Sequence, residues 1–385
     1  MNTSIHRLSV SSAALLLLST LNPELSTCIA QGPLTPPGAP APTMKTLDQL
    51  DAKLEKRTPI SSLPFTISAG GSYYLTASLS VPAAGTSGIT IAADNVTLDL
   101  NGFALTGVAT SGSGVLVSGA RRNLWIGNGT IHACANGVSA SSATDSHFER
   151  LRLTNNGLVG INAGASAIVK DCIAELNGSA GIGGGDNVKV IGCSVLDNGG
   201  YGIKIDDNGE VHKCLAFSNG SLGIQTVVGG SITECIASEN GTGGIDVSSS
   251  SLVKDCVARL NNGIGIFGNT SNRIVGCTST NNSTNDGIRV VGLNVVADNT
   301  CNSNGNGGTL AGIHATGNAN RIEGNSAAVN NGTGYKVDGS GNLIIRNSSR
   351  GSATPYNIAA GNAVGPIVTT ATIATNTSPH ANYDY

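Results

Sequence analysis

Six cysteines, Cys172, Cys193, Cys214, Cys235, Cys256 and Cys277, each follow the last by 21 residues. Asn156, Asn177, Asn198, Asn219, Asn240, Asn261 and Asn282 keep the same interval, as do Ile161, Ile182, Ile203, Ile224, Ile245 and Ile266. A period of about 20 to 50 residues marks a chain built by stacking one unit on the next. Within the unit, apolar positions alternate with variable ones. Cys172 and Ala174 are two apart, as on a strand with one buried face. No window repeats apolar residues at i, i+3, i+4 and i+7, and Gly, Asn and Ser cluster between the apolar positions as turns. Three short strands per unit, joined by turns, make one coil of a parallel β-helix. Each coil then bonds to the next at about 4.8 Å, and the stack supplies the core that one coil cannot. A residue added inside a strand would turn every later side chain to the wrong face, so extra residues belong in turns.

The two polar columns have a structural explanation. Asn tolerates left-handed backbone and bonds locally, and amides stacked at one bend can bond from coil to coil. Cys is a small apolar side chain suited to an inward position. Neighbouring Cα atoms fall within disulfide range, but their Cβ vectors run parallel, which favours buried thiols over disulfides. Metal binding is not expected, because there is neither a C-x-x-C pair nor a companion His column.

The 385 residues carry 21 Lys plus Arg against 24 Asp plus Glu, which leaves no basic footprint for nucleic acid. A hydrophobic fraction of 39% is too high for a disordered chain. Residues 1–30 read as a Sec-type signal peptide, with Arg7 ahead of an apolar run too short and serine-rich to span a membrane. The expected location is secreted, periplasmic or cell-surface. Lipid anchoring at Cys28 is the less favoured alternative, since Thr27 fits a lipobox poorly. Residues 31–43 are a Pro-rich linker. Residues 44–57 have Leu47, Leu50 and Leu54 on one helical face, so 44–64 is expected to cap the first coil. The β-helix is assigned to 65–350 and a cap or tail to 351–385. After the regular block, Cys301 lies 24 residues beyond Cys277, and Asn325 and Asn347 then take the Cys position. Cys134 is out of phase with the cysteine ladder.

This pattern resembles the right-handed parallel β-helix proteins of the pectate-lyase-like superfamily. The stretches ADNVTLDLNGFALTG and NLIIRNSSRGSATPYNIAAGN further resemble secreted bacterial β-helix proteins of undefined activity. The resemblance implies an all-β, right-handed, single-stranded solenoid, to which the spacing adds coils of about 21 residues and the leucine face a short N-terminal helix cap. It also implies polysaccharide partners bound along an outward sheet face, but it supplies no catalytic residues.

The outward column that follows the Gly-Ile pair contains Lys204, Gln225, Asp246, Phe267, Arg289, His314 and Lys336, with Asp206 and Asp338 two residues beyond it. A lyase needs a base and a cation on the uronate carboxylate, and Ca²⁺ enters only under that alternative; otherwise no cofactor is expected. Lys204, Arg289, His314 and Lys336 are the candidates for such roles. A glycosidase needs two facing carboxylates, for which Asp206 and Asp246 are the available pair. A soluble solenoid also needs a polar outer column for solvation alone, and no catalytic motif stands out. The leading expectation is a monomeric scaffold, secreted or envelope-associated, that binds carbohydrate or the cell surface. The alternative is a polysaccharide lyase or uronate epimerase.

Overall fold

The computed structural model describes residues 46, 49, 56–108, 111–282, 284–305 and 309–385. The expected signal peptide, the linker and most of the expected 44–57 helix lie outside these residues. Within the latter, Thr46 and Gln49 exchange two bonds of 3.1 Å between backbone N–H and side-chain oxygen, the reciprocal pattern of a capping box, and Gln49 is helical.

Lys56–Tyr385 is one unit, made, among the described residues, of short parallel strands and a single 3₁₀ turn at Ile373–Thr375. Fourteen strands, from Phe65–Ile67 to Thr354–Ile358, stack into one flat sheet. Twenty-eight more form a second, folded sheet that supplies the other two sides of each coil. In one coil these sides are Ile161–Ala163, Ile168–Lys170 and Ile173–Glu175. Strand pairing runs from Thr58 to Asp384, and so enters both flanking segments.

The periodic residues explain the coil. The isoleucines of the Ile161 to Ile266 column, the aliphatic column through Val211 and the small column through Ala216 are all at most 1% exposed. Their pairing keeps one register, for example Val190 to Val211 to Ile232. In the 21-residue coils each bend carries one residue at positive φ. At the asparagine bend that residue precedes the ladder, as with Leu176 (55°), Asp197 (52°) and Ser218 (56°). The ladder asparagines therefore do not supply the left-handed turn expected of them. They act through hydrogen bonds. Asn219 donates its backbone N–H and its amide to Asn240 Oδ1 at 3.1 and 3.0 Å, and the same amide donates to Val195 O.

All eight described cysteines are buried free thiols. One of them, Cys301, sits differently from the sequence expectation, and Cys134 lies outside the cysteine ladder as its phase implied. Cys301 pairs in register with Ser279 and Ala327, in the small-residue column. The position after Cys277 belongs to Asn299, whose Oδ1 accepts the Cys277 N–H at 2.8 Å, and Asn325 and Asn347 follow it. The coil lengthened before Cys301, so counting from one cysteine to the next crossed columns. Cys134 heads the asparagine column, with its N–H bonded to Asn156 Oδ1. In the last two coils Tyr335 and Tyr356 replace isoleucine, their rings stacked at 5.0 Å.

Candidate functional site

The fourteen-stranded sheet presents the outward column in unbroken register. Lys204 pairs with Gln225, Gln225 with Asp246, Asp246 with Phe267, Phe267 with Arg289, Arg289 with His314 and His314 with Lys336. Each step is one coil, about 4.8 Å. Asp206 lies exposed just beyond the strand Ile203–Ile205, on the coil of Lys204. The column divides into two parts of different character.

The first part is a platform. Most strands of this sheet have three residues near its start, but Leu222–Val228, Gly243–Ser249 and Ile264–Thr270 have seven each. They widen the sheet where Gln225, Asp246 and Phe267 project. Beside them lies a cavity of about 220 Å³ lined by Leu222, Thr242, Gly243, Ile245, Asp246, Ile264 and Phe267. Burial pushes the Asp246 carboxyl up, against a lowering hydrogen bond from Gln225. At the N-terminal edge of the platform, the Lys204 ammonium lies over the Tyr201 ring, 5.1 Å from its centre.

The second part is a knot of charges that sequence reasoning did not assemble. Its centre is Asp286, which is fully buried. Asp286 Oδ1 accepts the Ala311 N–H at 2.6 Å. Its Oδ2 accepts from Arg289 Nε at 2.5 Å and pairs with His314 Nδ1 at 2.9 Å. The other ring nitrogen, His314 Nε2, meets Asp338 Oδ2 at 2.8 Å, and Lys336 Nζ lies 3.3 Å from the same oxygen. Arg289 also donates to Asn285 Oδ1 at 2.7 Å. A carboxylate oxygen thus stands against each ring nitrogen of His314. Burial alone would raise the Asp286 carboxyl. The bond and charge of His314, the Ala311 N–H and Arg289 outweigh it and hold the carboxyl below its ordinary range. Asp338 shifts the same way, its partial desolvation outweighed by His314 and Lys336.

His314, read from sequence as an outward side chain facing solvent, is only 6% exposed. Its neighbours are charged residues that enclose it. Asp286 was missed because it lies where the 21-residue spacing slips, between Asn282 and Gly287. The slip was visible, and an Asp two residues before the isoleucine column, where Ile264 stands one coil earlier, was the available signal.

The acidic stretch after Lys204 is tied into neighbouring coils. Asp207 Oδ1 accepts the Val228 N–H at 3.1 Å, and Glu210 pairs with Lys189 at 2.7 Å. No group of three or more His, Cys, Asp or Glu side chains among the described residues converges as a metal ion would need. Among the same residues, no helix is long and apolar enough to cross a membrane.

Comparison with known proteins agrees with this architecture. Residues 79–233 match the family model described as "Right handed beta helix region". No curated protein sequence matched the chain. Among solved structures, the A-module of mannuronan C-5 epimerase AlgE4 of Azotobacter vinelandii superposes with a TM-score of 0.58 at 16% identity, over 77% of this chain and 91% of that one. The AlgE6 A-module of the same organism gives 0.48 at 14% identity over 75% and 91%. Tailspike protein 3 of bacteriophage CBA120 gives 0.44 at 14% identity over 86% and 60%. At such identities the likeness is one of fold. The protein is a right-handed parallel β-helix, the architecture that its resemblance to the pectate-lyase-like superfamily implied.

Proposed function

We propose that this β-helix is an exported or envelope-associated scaffold whose flat fourteen-stranded face binds polysaccharide without turning it over. The observation that carries the reading is the outward column from Lys204 to Lys336. It places one side chain per coil, in register, along a line that an extended glycan can follow. The names of two structural neighbours, a mannuronan epimerase and a phage tailspike, are consistent with this use of the fold. Export rests on the apolar, Arg7-led N-terminus, and lipid anchoring at Cys28 is the less favoured route.

The reading without turnover is supported by how the groups at the centre of the knot are committed. A general base must reach the proton that it takes. Asp286 is fully buried, and both nitrogens of His314 are engaged by carboxylates. The test is a pull-down of the purified protein on neutral and uronate polysaccharides, with absorbance followed near 235 nm (approximate) for the unsaturated ends of β-elimination. Retention without new absorbance or altered glycan composition supports the scaffold. Retention on no glycan overturns it.

One observation favours a second reading, a lyase or epimerase. The line Asp286–His314–Asp338 ends on a carboxylate whose side chain is 47% exposed, next to Lys336. An acid–base enzyme would use that exposed end. Under this reading Asp338→Asn abolishes product formation while binding and melting survive. A wild-type protein that leaves every bound glycan unchanged removes the reading.

A further inference from the structure

We infer that Gln225, Asp246 and Phe267, with the cavity beside them, form a subsite for an uncharged sugar ring, so that the glycan on this face is neutral and not a polyuronate. The inference rests on the reading above that the face binds polysaccharide, and it names the class of glycan.

Three observations carry it. The first is shape. The sheet is widest at the three seven-residue strands, and Phe267 projects from the last of them beside a cavity of about 220 Å³ with apolar walls at Leu222 and Ile264. An aromatic face and aliphatic walls with a few fixed polar groups suit the C–H face of a pyranose ring and its hydroxyls.

The second is the polar group at the centre. Asp246 is partly buried between Gln225 and Phe267 in the column. A sugar hydroxyl can donate a charge-assisted hydrogen bond to this carboxylate. A uronate carboxylate placed there would add like charge to a group already short of solvent, a penalty that selects against acidic sugars.

The third is the charge balance of the face. Lys204, Arg289 and Lys336 stand with Asp206, Asp246, Asp286 and Asp338. His314 is held between Asp286 and Asp338, so neither of its ring nitrogens is free for a ligand. Arg289 is drawn onto Asp286 and Asn285, and Lys336 onto Asp338. A polyuronate carries one charge per sugar and would need a row of cations to meet it. Here the cations are largely spent on the protein's own carboxylates.

The test is affinity electrophoresis of the full chain in gels containing neutral glucan, xylan or mannan, and in gels containing polygalacturonate or alginate. Wild type is expected to be retarded by a neutral polymer. Phe267→Ala weakens that binding about tenfold with its melting curve unchanged, and Phe267→Tyr, which keeps the ring, restores it. Asp246→Asn loses part of the neutral binding and gains retardation by polygalacturonate. Wild-type preference for a uronate polymer overturns the inference while leaving polysaccharide binding intact, as does neutral binding indifferent to Phe267→Ala. Binding to no polymer of either class overturns the underlying reading, and this inference with it.

Discussion

The coils of residues 151–282 and those that follow solve the same stacking problem differently. In the first region every coil has 21 residues, and one bend carries asparagine while another carries cysteine. The cysteine contacts are weak, such as Cys193 N–H to Cys214 Sγ at 3.5 Å. In the second region the asparagine steps from Asn299, the partner of Cys277, through Asn325, Asn347 and Asn382 are 26, 22 and 35 residues. There all three bends carry asparagine, as at Asn294, Asn299 and Asn304, each bonded to the asparagine of the next coil at 2.9 to 3.3 Å. In the first region one amide ladder accompanies the constant coil length. Where length varies, amide ladders hold the corners, and the variation is free to place side chains that a strict repeat cannot. Asp286 is one such side chain.

The largest effect should come from breaking register. One alanine inserted between Ile232 and Thr233, inside the strand Ser231–Thr233, turns later side chains of the coil over and should abolish cooperative folding. The same insertion between Gly305 and Thr309, in the longer connection, should leave circular dichroism and melting near wild type. Equal damage at both sites would erase the distinction between the regions.

Next in size is the charged knot. Asp286→Ala leaves the Ala311 N–H, Arg289 and His314 without their acceptor and should cost about 3–5 kcal/mol in denaturant melts. The folded carboxyl of Asp286 is held below its ordinary value, so its contribution is complete above the ordinary carboxylate range and is lost as pH falls from that range through the lower folded value. Wild type should therefore lose stability below about pH 4 more steeply than Asp286→Asn. Parallel pH profiles would show that the knot is not ionised as the geometry requires.

Smaller again is one rung of the ladder. Asn219→Ala removes an acceptor for the Asn198 backbone and amide and a donor to Val195 O, and should cost about 2–4 kcal/mol by thermal or chemical melting. Asn299→Cys, which gives the looser region the side chain of the regular one, should cost about 1–2 kcal/mol through its lost bonds to Ile274 O and Asn325. No loss in Asn299→Cys would mean that the amides do not hold the lengthened coils.

The sequence made one part of this molecule plain and hid another, for a physical reason. A solenoid core is periodic, so Cys172, Val190 or Asn219 announces its place by its interval alone, and the fold and the outward column could both be read in advance. The knot depends on contacts that a period does not encode. His314 sits on the outward column by count, yet it is buried because Asp286 and Asp338 close on it from adjacent coils. The cavity beside Phe267 likewise depends on strand widening around Gly243 and Ile264, which strand spacing does not reveal.

The most direct measurement compares two faces of the coil. Polysaccharide affinity would be measured for Lys204→Ala combined with Phe267→Ala on the flat sheet, and for Lys189→Ala combined with Lys213→Ala on the folded sheet side, where both lysines pair with glutamates. Loss of at least about tenfold confined to the first pair is expected, with both proteins melting near wild type. Equal loss from both pairs, or loss only from the second, would contradict the assignment of binding to the fourteen-stranded face.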